Sequence, residues 1–438
     1  MKLSIKNFAK IKEAEITIDG ITVITGENNT GKSTVGKILF SWFNALSDVE
    51  EKILQKRLKE IERANKALIQ DYISDAWVTR SMQVQSAAVL ARKINMQIRK
   101  ELDRNLSLTE ENLLNMVAKL IKKWGESTEG IEPYTYLDML EDICNTIQEV
   151  MELPEENIVL EIISRYFNQV FHSQITSFAE DIHGETMLVL EMKGKEQKLF
   201  FDSDSCKAFA NHIRIFQKAI YIDNPFAVDE LSGYRDLNPM DKMLRDLLTS
   251  KAQEDVLDEV IGAVRAKEKL GDFYEILQSV VDGEIVINQS NEEYYLKNQE
   301  SNEPISFRNL STGMKSFVIL KMLLEKGELK EKDVLILDEP EIHLHPQWQI
   351  AYAELIVLLQ KHFDLSVVIT THSPYFMDAI HLFSCKYGSE SRVNYYASSK
   401  VGNLVKMDCV TGNLEEIYQK MAAPIQMLDS LRYELNNR

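Results

Sequence analysis

The stretch Ile21-Thr22-Val23-Ile24-Thr25-Gly26-Glu27-Asn28-Asn29-Thr30-Gly31-Lys32-Ser33-Thr34-Val35-Gly36-Lys37-Ile38-Leu39-Phe40 passes from a β-branched apolar run, through a Gly/Asn-rich turn, into a run with helical character. It contains G-x-x-x-x-G-K-[ST] in the strand–turn–helix setting that the motif needs. The two glycines let the backbone turn tightly, so that successive N–H groups face an anion, and the helix N-terminus adds partial positive charge. Lys32 can then reach β- and γ-phosphates, and the Ser33 hydroxyl can ligate Mg²⁺. The plain alternative is a strand–helix turn that happens to contain Lys-Ser; flanking strand and helix together favour the anion cradle. Asn28, Asn29, Thr30, Gly31, Lys32, Ser33 and Thr34 are therefore the candidate nucleotide-binding residues, with ATP and Mg²⁺ as the expected ligands.

Composition sets the outer bounds. The chain has 438 residues, 45% apolar and 27% charged, as in soluble globular proteins with room for two or three domains. No stretch approaches the roughly 20 unbroken apolar residues that span a bilayer. Met1-Lys2-Leu3-Ser4-Ile5-Lys6 leads into strand-like alternation rather than a secretory leader. Cys144, Cys206, Cys385 and Cys409 are far apart and form no Cys-x-x-Cys, which suggests neither a zinc site nor a disulfide framework. A cytoplasmic protein without a membrane partner is expected.

The net charge of −18 argues against uniform coating of nucleic acid. The charge is uneven, however. Lys52 to Lys123 holds 15 Lys/Arg and 8 Asp/Glu, a balance of +7, so the remainder carries −25. Arg92-Lys93, Arg99-Lys100, Arg104 and Lys122-Lys123 in this segment suit nucleic acid, an acidic partner, or simply a solvated helix face.

Along the chain, Lys2–Phe8 and Glu13–Asp19 alternate as short strands, with Ala14, Ile16 and Ile18 on one face. From Ala45 to Lys123 there is no Pro, and apolar residues such as Ile53, Leu54, Leu58 and Ile61 fall at helical spacing. Ser107-Leu108-Thr109-Glu110-Glu111 carries capping signals, Gly125 to Pro133 reads as a loop, and helices resume from Tyr136 to His183. No a/d heptad is sustained, so a compact helical lobe is expected rather than a long coiled coil. Three regions follow: 1–44 with the phosphate loop, a helical insertion at 45–183, and 184–438. The last contains a hairpin about Lys193-Gly194-Lys195, the strand Ala219–Asp223, helix over 238–280, and a second hairpin about Ser290-Asn291.

Val334-Leu335-Ile336-Leu337-Asp338-Glu339-Pro340 is an apolar strand ending in two carboxylates. Beside a phosphate loop, Asp338 is placed to hold Mg²⁺ or its water and Glu339 to polarise an attacking water. Ser366-Val367-Val368-Ile369-Thr370-Thr371-His372 is a second apolar strand, ending 33 residues after Glu339 in a lone His. That histidine suits contact with a γ-phosphate better than a purely structural place. Asn309-Leu310-Ser311-Thr312-Gly313-Met314-Lys315-Ser316 precedes a helix over Phe317–Leu324; alone it is an ordinary cap and turn.

In that order the four motifs, Gly26–Thr34, Leu310–Lys315, Leu337–Pro340 and Thr371–Pro374, resemble an ABC-class ATPase of the SMC/RecF/OLD branch. The run Asp338-Glu339-Pro340-Glu341-Ile342-His343-Leu344-His345-Pro346-Gln347-Trp348-Gln349, with Thr371-His372-Ser373-Pro374-Tyr375-Phe376, is similar to OLD-like ATPases rather than transporters. Leu310-Ser311-Thr312-Gly313-Met314-Lys315-Ser316-Phe317 and Ile417-Tyr418-Gln419-Lys420-Met421-Ala422-Ala423-Pro424 resemble the ATPases of prokaryotic anti-phage defence operons of the Septu type.

The resemblance implies an α/β fold, an ABC-type P-loop ATPase head carrying a large helical insertion and antiparallel β-hairpins. It also implies that Ser311 and Gly313 complete the ATP site of a second subunit, making a homodimer or larger oligomer, and that an effector nuclease or toxin is held by the complex. Two departures stand out. No Gln follows the third core strand, where Asp223-Asn224-Pro225-Phe226 stands and Asn224 is the candidate substitute; and Glu341-Ile342-His343-Leu344-His345 replaces the usual loop after the carboxylates. The 66 residues after His372 carry no Asp-x-Asp set or HNH-like cluster, so nuclease activity is expected from a partner rather than from this chain. His343 and His345 as metal ligands are the weaker reading of that pair. The competing function is an SMC/RecF-like DNA-repair ATPase that clamps DNA directly; a transporter subunit and a scaffold without turnover fit less well.

Overall fold

The computed structural model describes residues 1–73, 80–104, 109–127, 136–176, 185–211, 214–231, 237–250, 271–288, 293–298 and 303–436. The chain divides into two compact units, Met1–Ser47 with Ile162–Arg438, and Asp48–Glu161.

The first unit is built on one large mixed sheet. Its strands are β1 (Lys2–Phe8), β2 (Ile11–Thr17), β3 (Ile21–Gly26), β4 (Thr186–Met192), β5 (Lys195–Asp202), β6 (Ser205–Ala210), β7 (Ala219–Ile222), β11 (Val334–Asp338), β12 (Ser366–Thr371), β13 (Val393–Val401) and β14 (Leu404–Cys409). They lie in the order β6-β5-β4-β1-β2-β14-β13-β3-β12-β11-β7. Strands β13, β3, β12, β11 and β7 run parallel, and β1, β2, β4, β5 and β6 form an antiparallel wing. Strands β3, β7, β11 and β12 are buried nearly throughout, with threonine hydroxyls set among the apolar side chains of β3 and β12. A smaller sheet joins β8 (Glu284–Asn288), β9 (Glu293–Lys297) and β10 (Ile305–Ser306).

Helices α1 (Lys32–Leu46), α7 (Pro239–Thr249), α8 (Gly271–Val280), α9 (Thr312–Glu325), α10 (Pro346–Phe363) and α11 (Pro374–Lys386) belong to this unit, with α12 (Leu414–Asn436) after the last strand. Helix α1 packs close because Gly36 carries no Cβ: one added there would stand 2.6 Å from Ile336 Cγ2 and 3.1 Å from Tyr221 Cε2. Leu335 and Leu337, which alternate with Ile336 along β11, face the other side of the sheet and share a separate core with Phe317, Tyr352 and Ile369, all at most 1% exposed. Each side chain so buried is worth about 1.5–3 kcal/mol of transfer free energy.

The second unit comprises α2 (Val49–Tyr72), α3 (Arg80–Asp103), α4 (Glu110–Ser127), α5 (Tyr136–Glu152) and the opening residues of α6 (Glu155–Phe171). Its core joins Ile61, Leu90, Ile94, Val117, Trp124 and Ile143. Trp124 donates its indole N–H to Ser86 Oγ at 3.0 Å. The helical spacing read from the sequence thus produces a compact bundle. Arg99 pairs with Glu51 at 2.7 Å and Arg92 with Glu62 at 3.3 Å, so part of the basic excess is spent on ion pairs within the bundle. Lys100, Arg104, Lys122 and Lys123 are exposed.

Several boundaries move from their expected places. Strand β2 starts and ends two residues earlier than expected, although Ala14, Ile16 and Ile18 are buried as read. The helical run expected to His183 ends at Phe171, where His172 (φ 50°) and Ser173 (φ 56°) turn left-handed and the chain bridges to β1 at Phe8–Thr176. The helix expected over 238–280 is seen as α7 and α8; residues 251–270 lie outside the described residues, as do Ser107-Leu108, loop residues 128–133, 177–183 and the Ser290-Asn291 turn. Strands β6 and β10 were not anticipated, and α9 begins five residues before Phe317.

Candidate nucleotide-binding site

Parallel register brings the motifs together. Thr25 lies opposite Thr371, Asp338 opposite Thr370, and Gly26 opposite Ser398. The C-terminal ends of β3, β12 and β11 therefore form one edge, with the histidine strand between the phosphate-loop strand and the carboxylate strand. Crevices at this edge are where open α/β sheets bind ligands.

The loop from Gly26 to Gly31 depends on its glycines. Gly26 (φ +147°) passes against Ser398, whose side chain and carbonyl an added Cβ would strike. Gly31 (φ +69°) lies where a Cβ would come 3.2 Å from Ile11 Cγ1. Thr30 ties the loop down, donating to the Glu27 carbonyl at 2.7 Å and sharing a 2.5 Å hydroxyl contact with Ser398. Asn28 and Asn29 stand at the exposed rim, where Lys10 Nζ donates to Asn29 Oδ1 at 2.6 Å. Lys32 is only 4% exposed; its ammonium donates to the carbonyls of Glu27 (2.8 Å) and Gly26 (3.2 Å) and lies 2.8 Å from His372 Nε2. Burial pushes its pKa down, opposed by the negative charges of Glu339, Asp338 and Glu341.

Asp338 collects three hydroxyl donors. Ser33 Oγ donates to Oδ1 at 2.9 Å, Tyr221 OH to Oδ2 at 2.5 Å, and Thr370 Oγ1 to Oδ1. Desolvation, then the charge of Asp338, pushes the Tyr221 phenol well above its usual range, which keeps it a donor. The Asp223 carboxyl at the end of β7 is pushed up to about 6, first by desolvation and then by the charges of Asp241 and Asp338. Acid has been gathered here against its own repulsion, which is the electrostatic setting of a cation site.

Glu339 adopts left-handed backbone (φ 50°), and its amide donates to the carbonyl (3.1 Å) and hydroxyl (3.0 Å) of Thr370. This places its Oε1 2.7 Å from His372 Nε2 and 3.9 Å from Lys32 Nζ. Nε2 carries either a proton or a lone pair, so it serves Glu339 as a donor or Lys32 as an acceptor, one at a time. Glu341, 5% exposed, accepts on Oε1 from Thr371 Oγ1 (2.5 Å) and from the amides of His372 (2.9 Å) and Ser373 (3.3 Å). Ser373 caps α11 at Phe376 N and donates to Gln349 Oε1 at 2.8 Å.

The Ser-Thr-Gly segment has local reasons for its residues. Ser311 is the N-cap of α9, its Oγ accepting from Met314 N at 3.3 Å. Gly313 is buried where a Cβ would sit 3.0 Å from both the His343 carbonyl and Trp348 Cε3. Asn224 Oδ1 accepts from Phe226 N at 2.9 Å, capping a short 3₁₀ turn. His345 Nδ1 accepts from Gln347 N as the N-cap of α10, and His343 stands edge-on to Phe226.

The donor set fits a magnesium nucleotide. Among the described residues no group of three or more His, Cys, Asp and Glu forms an all-protein metal cage. Mg²⁺ asks instead for one or two protein oxygens and completes its shell with phosphate and water, which Ser33 and Asp338 suit. A cavity of about 630 Å³ opens beside the loop, lined by Lys10, Asn29, Thr34, Lys37, His172 and Leu404 among others. The sequence reading missed Tyr221, Thr370, Glu341 and Lys10; Tyr221 is the single hydroxyl of β7, a signal that pointed to it, whereas Thr370 is one of three hydroxyls in β12.

These features define a P-loop ATPase site on a parallel sheet edge. Residues 1–377 match the AAA ATPase domain family, AAA_15, and the chain belongs to that family. A 93-residue segment is 37% identical to the Septu protein PtuA of Bacillus thuringiensis, covering 18% of this chain and 22% of that protein, so the match spans about a fifth of the relative. Among solved structures, the SMC head domain from Thermotoga maritima is similar over 93% of this chain and 98% of that one (TM-score 0.40, 12% identity). An Smc head domain with an extended coiled coil, bound to the C-terminal domain of ScpA and derived from Pyrococcus furiosus, is similar over 98% of both chains (TM-score 0.33, 14% identity). Likenesses this distant carry no argument here. No helix among the described residues is long and apolar enough to cross a membrane.

Proposed function

We propose that this ATPase is the regulatory subunit of a prokaryotic anti-phage defence complex, in which ATP-dependent engagement of two heads controls an effector nuclease or toxin. The observation that carries the catalytic part is the meeting of Lys32, Ser33, Asp338, Glu339 and His372 at one sheet edge. The defence part is supported by the motif resemblance and by the short stretch similar to a Septu protein.

In this reading the amides of Asn28 to Ser33 and Thr34 cradle the phosphates, and Lys32 turns its donors from the loop carbonyls to the β- and γ-oxygens. Ser33 and Asp338 would hold Mg²⁺, which neutralises charge on the transferring phosphoryl group when bound. Glu339 takes a proton from the attacking water while Lys32 and the loop stabilise the negative charge that develops. His372 holds Glu339 Oε1 in place and reads the γ-phosphate. Ser311 and Gly313 act on the site of a second copy, the helical insertion, whose compact unit is Asp48–Glu161, is an accessory domain, and the protein works in the cytoplasm.

The decisive experiment recovers tagged Glu339→Gln protein from its native cells with ATP and identifies what accompanies it. A small nuclease-like or toxin-like protein supports the regulatory reading. DNA recovered without a protein partner supports the SMC/RecF-like clamp instead, a reading favoured by the exposed Lys100, Arg104, Lys122 and Lys123.

A further inference from the structure

Glu341 is a buried carboxylate for which no cation lies within ion-pairing distance among the described residues. Its Oε1 takes three donors from three consecutive residues, Thr371, His372 and Ser373, while its buried Oε2 has no hydrogen-bond partner among the described residues. Burying an unpaired carboxylate is costly, and a neutral side chain would satisfy a turn at lower cost. The place of this charge accounts for the choice. It lies three residues beyond Asp338, and through the His372 amide it grips the residue whose ring stands 2.7 Å from Glu339 and 2.8 Å from Lys32. Its main chain is held as well: Gln349 Nε2 donates to the Glu341 carbonyl at 3.4 Å, and the other end of the Gln349 amide accepts from Ser373. The carboxylate strand and the histidine strand are thereby latched together beyond their last register pair, Asp338 with Thr370, and the Glu339 N–H bond to the Thr370 carbonyl.

We propose that Glu341 is a positioning residue for ATP hydrolysis: by holding the Thr371–Ser373 turn it sets the His372 imidazole between Glu339 and Lys32. The inference rests on the ATPase reading of the site. Because Glu341 acts on the histidine and not on the nucleotide, its loss separates turnover from affinity. Glu341→Gln keeps the shape but weakens the three-donor grip, and is expected to lower kcat about 10-fold with the ATP Kd changed less than about 3-fold; Glu341→Ala lowers kcat about 100-fold, again with affinity kept. A second readout needs no turnover: in protein carrying ring-labelled histidine, the His372 signal, assigned by its loss in His372→Gln, shifts in Glu341→Gln.

Wild-type kcat in Glu341→Gln, or a loss of activity matched by the loss of folded protein or of ATP affinity, overturns the proposal. If the wild-type protein shows no ATP hydrolysis, the ATPase reading falls, and the His372 signal alone then decides: an unshifted signal overturns the placement as well. Should Glu341→Ala fail to fold, the Gln variant carries the test.

Discussion

The phosphate-loop end and the Ser311–Gly313 segment are both written in the sequence as motifs, yet they are built differently. At the loop, five side chains from three separate strand ends engage one another: Lys32 with His372, His372 with Glu339, Ser33 with Asp338. Each of these contacts joins separate elements rather than closing one, and Lys32 is buried at a cost in solvation. At the signature segment each residue has a local use, Ser311 as a helix cap and Gly313 as a close approach to Trp348 and the His343 carbonyl. Lys32 also closes its own loop on the Gly26 and Glu27 carbonyls, but charged and polar side chains that separate strands bring together at one edge point to chemistry. Residues explained by their own helix acquire a function only if another molecule uses them, and mutation can separate the two cases.

The largest effect is expected at the loop. Lys32→Ala removes the ammonium proposed to meet the β- and γ-phosphates and should lower ATP affinity at least about 100-fold, the size of losing a charge-assisted phosphate contact in a desolvated site; isothermal calorimetry that finds unchanged affinity breaks the comparison at its stronger side. His372→Gln should slow hydrolysis by roughly 30-fold while binding persists, within the usual range for a group that orients a base; a steady-state assay with a separate binding measurement reads both.

The signature segment gives the sharper contest. A cap alone predicts that Ser311→Ala costs about 1 kcal/mol of stability and leaves turnover per folded molecule unchanged. Action on a second copy predicts in addition roughly a 10-fold loss of turnover, rescued in mixtures with Lys32→Ala protein, because one composite site then keeps both its intact loop and its intact serine. Gly313→Ala should lower stability by about 1–2 kcal/mol through the clash at Trp348 and His343, seen as a shift of the denaturant midpoint at constant slope. Smallest of all, replacing Lys122 and Lys123 by Ala should change nucleotide-only turnover less than about 2-fold, as expected of solvated surface charges; a fall in DNA-stimulated turnover would give that face to nucleic acid.

Much of this architecture was legible because its signals are local. The run Ile21–Thr25 before a Gly-rich turn, the apolar strand ending at Asp338-Glu339, and the strand ending at His372 each announce an element and a chemical group together. What stayed hidden depends on which strands become neighbours. Tyr221 reaches Asp338 across 117 residues of chain, and Glu341 holds residues 30 to 32 positions away, contacts created by the order β7, β11, β12. Strands β6 and β10 sit at sheet edges with weak alternation, where pairing rather than periodicity defines the strand. The early end of α6 is set by two left-handed residues, His172 and Ser173, that neither glycine nor proline marks.

The most direct test compares ATP binding and single-turnover hydrolysis in the wild-type protein and in Glu339→Gln. The account predicts a Kd within about 3-fold of wild type and hydrolysis slowed at least about 100-fold, roughly 2.7 kcal/mol of lost transition-state stabilisation. Hydrolysis at the wild-type rate would remove Glu339 as the base, and with it the claim that the ends of β3, β11 and β12 form a catalytic site.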